Sequence, residues 1–445
     1  MDKTDVLVIG GSAGGPIAGI SARRSYPDKK ITIVRMEEKV LVPCGIPYIF
    51  GTVGSPEKNL IPYDVLFPKN NIDVIIDEVT DIDKGAKKVK TSKGEEIGYK
   101  KLVLATGSLP VVPPIPGVDL DNVFFAKKDV DYLNGVLKAL EGVEDIVIIG
   151  GGFIGVEFAD ELKKKDLNVT IVELLPHCLQ LAFDEEFSLK AEEKLKERGI
   201  NIITNTSAKA ILGDKKVDSV ELSSGEKLKA DAVLLGIGAR PNVELAQKLG
   251  LKMGGTKAIA VDEYMRASEE DIFAVGDCAE KKSFFTGKPS GLRLASIAGM
   301  EARIAGANLF ELKHKNDGVV GTFSTIIGDL AFGVAGLTEN AAKDAEIDYI
   351  KAEGTTFDKH PGLMPNTSKM HLKLLFSKSD EIIGGAVYGG STAAEFTNII
   401  ASMIQQRLKI EEVVKFQMTT QPALTASPIT YLIADVAEMA MANLQ

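Results

Sequence analysis

Twice in this chain a short β-branched run meets a cluster of glycines and then a helix-like segment, and no other feature limits the fold as tightly. The first instance is Asp5-Val-Leu-Val-Ile-Gly10-Gly-Ser-Ala-Gly-Gly15, and the second is Asp145-Ile-Val-Ile-Ile-Gly150-Gly-Gly-Phe-Ile-Gly155-Val-Glu157. Each is followed by a further run of buried-strand character, Ile31–Val34 and Val169–Val172. Strand, glycine turn, helix, strand is the βαβ unit of a dinucleotide-binding fold. Gly10 and Gly150 lie 140 positions apart, too far for a repeat-protein period, so the pattern predicts two separate nucleotide domains.

Glycine serves three purposes in such a turn: the tight bend, close approach of backbone to a pyrophosphate, and close helix–strand packing. The helix that follows offers unpaired N–H groups and a partial positive charge to the phosphates. The second site carries the full fingerprint, Gly150, Gly152 and Gly155, with Phe153 and Ile154 opening the helix. Glu173 stands 23 residues after Gly150, at the end of the next strand. A carboxylate there accepts hydrogen bonds from a ribose and repels a 2′-phosphate, so NADH is favoured over NADPH. The first site departs from the fingerprint. Ser12 stands at the middle position, and Arg35, 25 residues after Gly10, stands where an acid is expected. Glu37 or Glu38 could supply that acid instead. By spacing alone this turn is equally a ligand site or a packing turn.

Between the two units, Lys101–Leu104 reads as a strand running into the turn Ala105-Thr106-Gly107, then a Pro-rich connection from Val111 to Gly117. Leu234 to Asn242 is again a strand ending in a glycine turn, at Gly238, and Asp271–Val275 is a strand with Gly276 and the acid Asp277 at its carboxyl end. From Gly321 the texture changes to short strands at Thr322–Ile327, Ala331–Gly336, Tyr349–Thr356, Met370–Phe376 and Ile382–Tyr388, with helical patterns at Ala393–Arg407 and Pro428–Ala442. Runs of strands followed by helices indicate a separate α+β domain. The expected fold class is therefore α/β: two nested dinucleotide-binding, Rossmann-like domains plus a C-terminal α+β domain. The expected boundaries are 1–114 and 246–320 for the first nucleotide domain, 115–245 for the second, and 321–445 for the last.

A net charge of −10 disfavours nucleic acid or an acidic membrane surface as partner. No stretch approaches the ~20 apolar residues of a membrane helix, and the apolar run near the N-terminus is too short for a signal peptide. Three cysteines cannot build a disulfide framework, so a cytoplasmic location is expected.

At Cys44-Gly-Ile-Pro-Tyr48 the chain shows a further motif. With the paired glycine turns, Ala105-Thr106-Gly107, Gly238-Ala-Arg-Pro-Asn242 and Ala274-Val-Gly-Asp277, it resembles the FAD-dependent pyridine nucleotide–disulfide oxidoreductases over nearly its whole length. Within them it is similar to the single-cysteine branch: coenzyme A disulfide reductases, NADH oxidases and peroxidases, and NAD(P)H sulfur reductases. The resemblance implies FAD at the first turn, with Gly10, Ser12, Ala13 and Gly14 around the pyrophosphate and Arg35 and Val79 toward the adenosine. Ala105, Thr106 and Gly107 would lie along the cofactor, and Gly276 and Asp277 would hold the flavin ribitol. Ala295 and Ser296 would open a helix, Ile297–Leu309, toward the flavin ring. NADH would occupy the second turn, with Gly238 nearby and Glu157 beside the nicotinamide. Coenzyme A is a further candidate ligand, and the C-terminal domain would make a homodimer.

Cys44 is followed by no other cysteine until Cys178. A lone thiol cannot store electrons as a disulfide with a near neighbour, but it can cycle as a mixed disulfide, a persulfide or a sulfenic acid. A helix N-terminus after Pro47 would favour the thiolate. Cys278 is expected to be inert. Cys178 follows His177, two ligands where zinc needs four, so no metal is expected. In the resembling oxidases and peroxidases a histidine occupies the position of Ala13; in the coenzyme A disulfide reductases the partner subunit brings tyrosines. His360 stands in the place of one of these, either as a proton donor in a shared active site or as a plain surface histidine. The segments Glu395–Arg407 and Ile429–Met441 have apolar faces suited to burial against a second subunit.

The reading is an FAD-dependent oxidoreductase passing electrons from NADH through Cys44 to a coenzyme A disulfide-like small disulfide or a polysulfide, with Cys44, His360 and Glu157 as candidate catalytic residues. Two others stand beside it: an NADH oxidase reducing dioxygen, and a nucleotide-binding redox sensor or electron carrier.

Overall fold

The computed structural model describes residues 2–443. The chain forms two compact units, one from residues up to Pro114, Phe124–Gly142 and Ile237–Val319, the other from Ile115–Val123, Val143–Gly236 and Val320 onward.

The first unit is built on a five-stranded sheet in the order Ile272–Ala274, Lys101–Leu104, Val6–Ile9, Ile31–Arg35, Asp73–Ile76. All four pairings are parallel. Parallel strands are covered on both faces, which is why they read as unbroken apolar runs rather than alternating ones. Val6, Leu7, Val8, Leu102 and Val103 are accordingly sealed from solvent, each side chain worth roughly 1.5–3 kcal/mol of burial. Helices Gly14–Ser25 and Ala295–Asn308 approach backbone to backbone: a Cβ on Gly306 would fall 2.7 Å from the carbonyl oxygen of Ala18.

The second unit repeats the theme, with parallel strands Ala232–Leu235, Asp145–Ile149, Asn168–Val172 and Asn201–Ile203 in that order. It then adds an antiparallel sheet in the order Thr322–Ile327, Leu330–Gly336, Ile382–Gly389, Lys369–Ser377, Tyr349–Phe357. All five strands lie within a residue or two of their expected places, and a short helix, Glu339–Asp344, is present in addition. Thr338 caps it by accepting the N–H of Ala341.

Two expectations change here. The pattern read as one helix over Pro428–Ala442 divides into a single turn, Pro428–Thr430, and a helix, Leu432–Ala442, because Ser427 caps Ile429 and Tyr431 is extended. The apolar face expected to meet a partner on Glu395–Arg407 is spent within the chain. Helix Ala393–Gln405 lies on its own sheet so closely that a Cβ on Gly333 would strike Thr397 Oγ1.

Lys373, 1% exposed, crosses from that sheet into a group of carboxylates. Its ammonium meets Asp184 at 2.6 Å, Glu339 at 2.9 Å and also Glu186. Asp184 additionally accepts the N–H of Glu339, at 3.0 Å.

Candidate functional site

Both glycine turns follow the same rule. Gly10 and Gly150 have φ of +119° and +108°, a region in which side chains are strained. A Cβ on Gly15 would fall 1.9 Å from the carbonyl oxygen of Gly10, and a Cβ on Gly155 would fall 1.9 Å from that of Gly150. The third glycine of the first fingerprint is therefore Gly15. Gly14, expected at the pyrophosphate, opens the helix, and a Cβ there would lie toward Val275 and Ala298. The sequence did carry the signal: Gly15 follows Gly10 by the interval that separates Gly155 from Gly150.

Helices Gly14–Ser25 and Phe153–Lys163 begin at Ala13 and Gly152 with no side-chain cap. Their first amide N–H groups are thus open to a ligand, a property they share with other uncapped helices such as Glu185–Glu197 and Ala393–Gln405, whereas Asp129 and Thr338 cap theirs. A Cβ on Gly152 would meet open space, which is room for a phosphate to approach the backbone. Ile154 is exposed beside it.

Around the first turn the expected residues gather. A Cβ on Gly10 would strike the carbonyl of Ala105. Thr106 donates to the carbonyl of Asn242 at 2.7 Å, and Asn242 N–H donates to that of Gly107 at 2.9 Å. Gly107 and Gly238, at φ +69° and +96°, turn the short ribbon Ser108–Pro110 with Ala239–Pro241. Asp277 accepts Ser108 Oγ–H at 2.7 Å, and a carboxylate has lone pairs left for a ribitol hydroxyl. Ala295 and Ser296 are exposed at the start of their helix. Val79 is buried in the strand Val79–Asp83.

Gly276, at φ +75°, is gripped from the core. Its N–H donates to Glu301 Oε2 at 2.8 Å, and its carbonyl accepts Lys281 Nζ. Lys281 also reaches Ala279 O at 2.8 Å and pairs with Glu301 at 3.3 Å. Burial pushes Glu301 up to about 7, against the pull of Lys281 and of the Gly276 amide.

Arg35 is 5% exposed. Its stem runs across Gly11, where a Cβ would lie 2.6 Å from Cδ, and its guanidinium sits over the rings of Tyr63 and Phe67 at 5.6 and 5.9 Å. Tyr63 in turn donates its hydroxyl to the carbonyl of Ser12 at 2.8 Å. The departures at Ser12 and Arg35 thus belong to one packed group. Tyr63 carried no sequence signal.

Cys44 is exposed, whereas Cys178 and Cys278 are buried. It sits on the turn Pro43–Gly45, followed by a second turn, Pro47–Phe50. Both are 3₁₀, so the helix N-terminus expected after Pro47 is a single turn with few aligned peptides. Buried Asn59 holds the loop, donating to the carbonyl of Val42 at 2.9 Å, while a Cβ on Gly45 would strike its Oδ1. Burial pushes the Cys178 thiol up to about 12, helped by Glu192 and Glu173. Burial raises Cys278 as well.

At the second turn Glu173 accepts the N–H of Gly151 on one oxygen and that of Leu175, at 2.8 Å, on the other. Glu157 accepts Thr325 Oγ1–H at 2.9 Å, and burial pushes its carboxyl up to about 7. His360 faces the carbonyl of Thr425 at 2.9 Å through Nδ1. A carbonyl only accepts, so Nδ1 carries the proton and Nε2 is left as acceptor. Glu157, Glu173 and His360 belong to the second unit, Cys44 and Asp277 to the first.

The sequence profile of the pyridine nucleotide-disulphide oxidoreductases matches residues 4–302. This chain belongs to that family. The dimerisation domain of the pyridine nucleotide-disulphide oxidoreductases matches residues 322–430. Among its relatives, an NADH oxidase of Methanocaldococcus jannaschii is 30% identical over 94% of this chain and 95% of its own. An NAD(P)H coenzyme A polysulfide/persulfide reductase of Pyrococcus horikoshii is 34% identical over 87% of this chain and 88% of its own. The NAD-dependent persulfide reductase of A. fulgidus superposes with a TM-score of 0.91 at 33% identity, covering 99% of this chain and 83% of that one. As a pyridine nucleotide-disulphide oxidoreductase the chain has the expected α/β fold and is an oxidoreductase. No helix among the described residues is long and apolar enough to cross a membrane.

Proposed function

We propose that this chain is an NADH-dependent flavoprotein that reduces a small disulfide, of the coenzyme A disulfide kind, or a polysulfide, with Cys44 as its redox thiol. The observation that carries the proposal is that Cys44 alone of the three cysteines is exposed, on a loop braced by Asn59 beside the first nucleotide fold.

FAD, when bound, supplies the two-electron relay between NADH and the acceptor. Gly10, Ser12, Ala13 and the amides that open helix Gly14–Ser25 would take its pyrophosphate, Asp277 its ribitol, and Gly150, Gly152 and Glu173 the NADH. Cys44 thiolate attacks one sulfur of RS–SR, forming a Cys44–SR bond and releasing RS⁻. Two electrons drawn from NADH then break that bond, returning the Cys44 thiolate and a second RS⁻. With proton uptake the sum is NADH + H⁺ + RSSR → NAD⁺ + 2 RSH. His360, offered by the partner subunit, would first take up a proton on Nε2, with Nδ1–H kept on the Thr425 carbonyl, and as the imidazolium would give that Nε2 proton to the leaving thiolate.

Phe357, Leu363, Leu424 and Ile429 are exposed within the span matched by the dimerisation domain, and Met439 just after it, which supports a homodimer through this domain. We place the protein in the cytoplasm, consistent with an exposed working thiol.

The test is Cys44→Ser, since a hydroxyl does not ionise near neutral pH. The variant should keep its flavin and accept hydride from NADH, yet lose disulfide and polysulfide reduction by at least ~10²-fold. Near wild-type disulfide reduction overturns the proposal. The similarity to an NADH oxidase along almost the entire chain supports a second reading, with dioxygen as acceptor. That activity needs no thiolate, so it should persist in Cys44→Ser.

A further inference from the structure

Helix Phe153–Lys163, which opens at the second glycine turn, lies in register on strand Thr322–Ile327, the first strand of the C-terminal sheet. Phe153 and Glu157 are one helical turn apart, and Phe323 and Thr325 share one face of the strand. Four helical residues rise about 6 Å and two strand residues about 6.6 Å, so the two faces keep step. The ring of Phe153 stacks on that of Phe323, with centroids 5.3 Å apart and planes 10° from parallel. Thr325 Oγ1 donates to Glu157 Oε1 at 2.9 Å. Beyond the strand, Gly328 N–H donates to Asp160 Oδ1 at 3.2 Å.

We infer that Thr325 is a positioning residue for hydride transfer from NADH, its hydroxyl fixing where the Glu157 carboxylate points while Phe323 fixes the ring of Phe153. The inference rests on the placement of Glu157 beside the nicotinamide. Thr325 never touches nucleotide in this role and acts only through Glu157.

Burial raises Glu157 to about 7, the hydrogen bond from Thr325 opposes the rise, and Glu161 on the same helix adds to it. The charged groups on the packed elements are otherwise engaged. Asp160 meets Arg198, Lys194 meets Asp329 at 2.7 Å, and Asp145 on the neighbouring strand meets Lys229 at 2.7 Å. Strands Thr322–Ile327 and Asn168–Val172 carry no charged residue. Thr325 is thus the polar side chain that the sheet contributes to Glu157.

The experiment compares Thr325→Val, which keeps shape and loses the donor, with Thr325→Ser, which keeps the donor; Thr325→Ala is a second loss-of-donor variant. NAD⁺ binding to the flavin-loaded protein is followed by calorimetry from pH 5.5 to 9, and single-turnover flavin reduction by NADH over the same range. Thr325→Val and Thr325→Ala should move the midpoint of both profiles upward by about one pH unit and slow reduction at pH 7 by roughly 3- to 10-fold, with recovery at pH 9. Thr325→Ser should keep the wild-type midpoint. Unmoved midpoints in both loss-of-donor variants overturn the inference. Glu157→Gln separates the two levels: if it leaves the pH profile intact, the placement of Glu157 fails; if it abolishes the profile while Thr325→Val does not move it, only the role of Thr325 fails.

Discussion

Glu301 and Gly276 share a hydrogen bond, carboxylate to amide N–H at 2.8 Å, that ties the sealed interior of the first unit to the turn presenting Asp277. The Glu301 carboxyl titrates near 7 in the folded protein against 4.5 for the ordinary group. A raised folded value means more protons bound folded than unfolded, so this contribution to stability is full below about 4.5 and lost as pH climbs toward 7. Denaturant unfolding should show wild type losing on the order of 2–3 kcal/mol more than Glu301→Gln between pH 5 and 7.5. Parallel pH curves would refute this.

The two candidate glycines of the first turn should separate cleanly. A Cβ at position 15 collides with the carbonyl of Gly10 at 1.9 Å, whereas one at position 14 meets Val275 Cγ2 at 3.3 Å and Ala298 at an ordinary 3.9 Å. Gly15→Ala should lose bound flavin and about 3 kcal/mol or more, Gly14→Ala about 1 kcal/mol or less. Flavin content and thermal melting of the two purified variants check the ranking.

Glu173 has a double task. A 2′-phosphate facing it loses hydrogen bonds and meets repulsion, so kcat/KM should favour NADH over NADPH by about 5- to 150-fold. Because its two oxygens also hold Gly151 and Leu175, Glu173→Gln should raise the KM for NADH as well as narrow the preference. Equal use of both nucleotides by wild type would be the contrary result.

If His360 serves its partner's Cys44, mixing Cys44→Ala chains with His360→Ala chains should restore part of the disulfide activity in heterodimers. Verified heterodimers with no recovery would remove His360 from the mechanism.

What could be read from the sequence and what could not divides by reach along the chain. Gly10, Gly150 and Gly155 answer to backbone geometry within a few residues, and strands such as Val6–Ile9 and Asp145–Ile149 announce themselves by continuous apolar runs, whereas the part-exposed strands Asp73–Ile76 and Asn201–Ile203 do not. Tyr63 reaches Ser12 across 51 positions, Glu301 reaches Gly276 across 25, and Thr325 reaches Glu157 across 168. No local pattern marks such partners, because each is an ordinary polar residue until the fold supplies its neighbour. The turn after Cys44 misled for a related reason: Pro47 fits the start of an α-helix and a 3₁₀ turn equally well.

Lys373 binds the carboxylates of Asp184 and Glu186 from the far side of a domain boundary in the sequence. Detached from the antiparallel sheet, the nucleotide fold would be left with a pair of acids repelling each other over apolar surface. The two halves of the second unit are therefore not interchangeable modules. A chimera that borrows either half from a relative inherits a charge deficit unless the lysine and its acids travel together, and the unit should melt as one cooperative block.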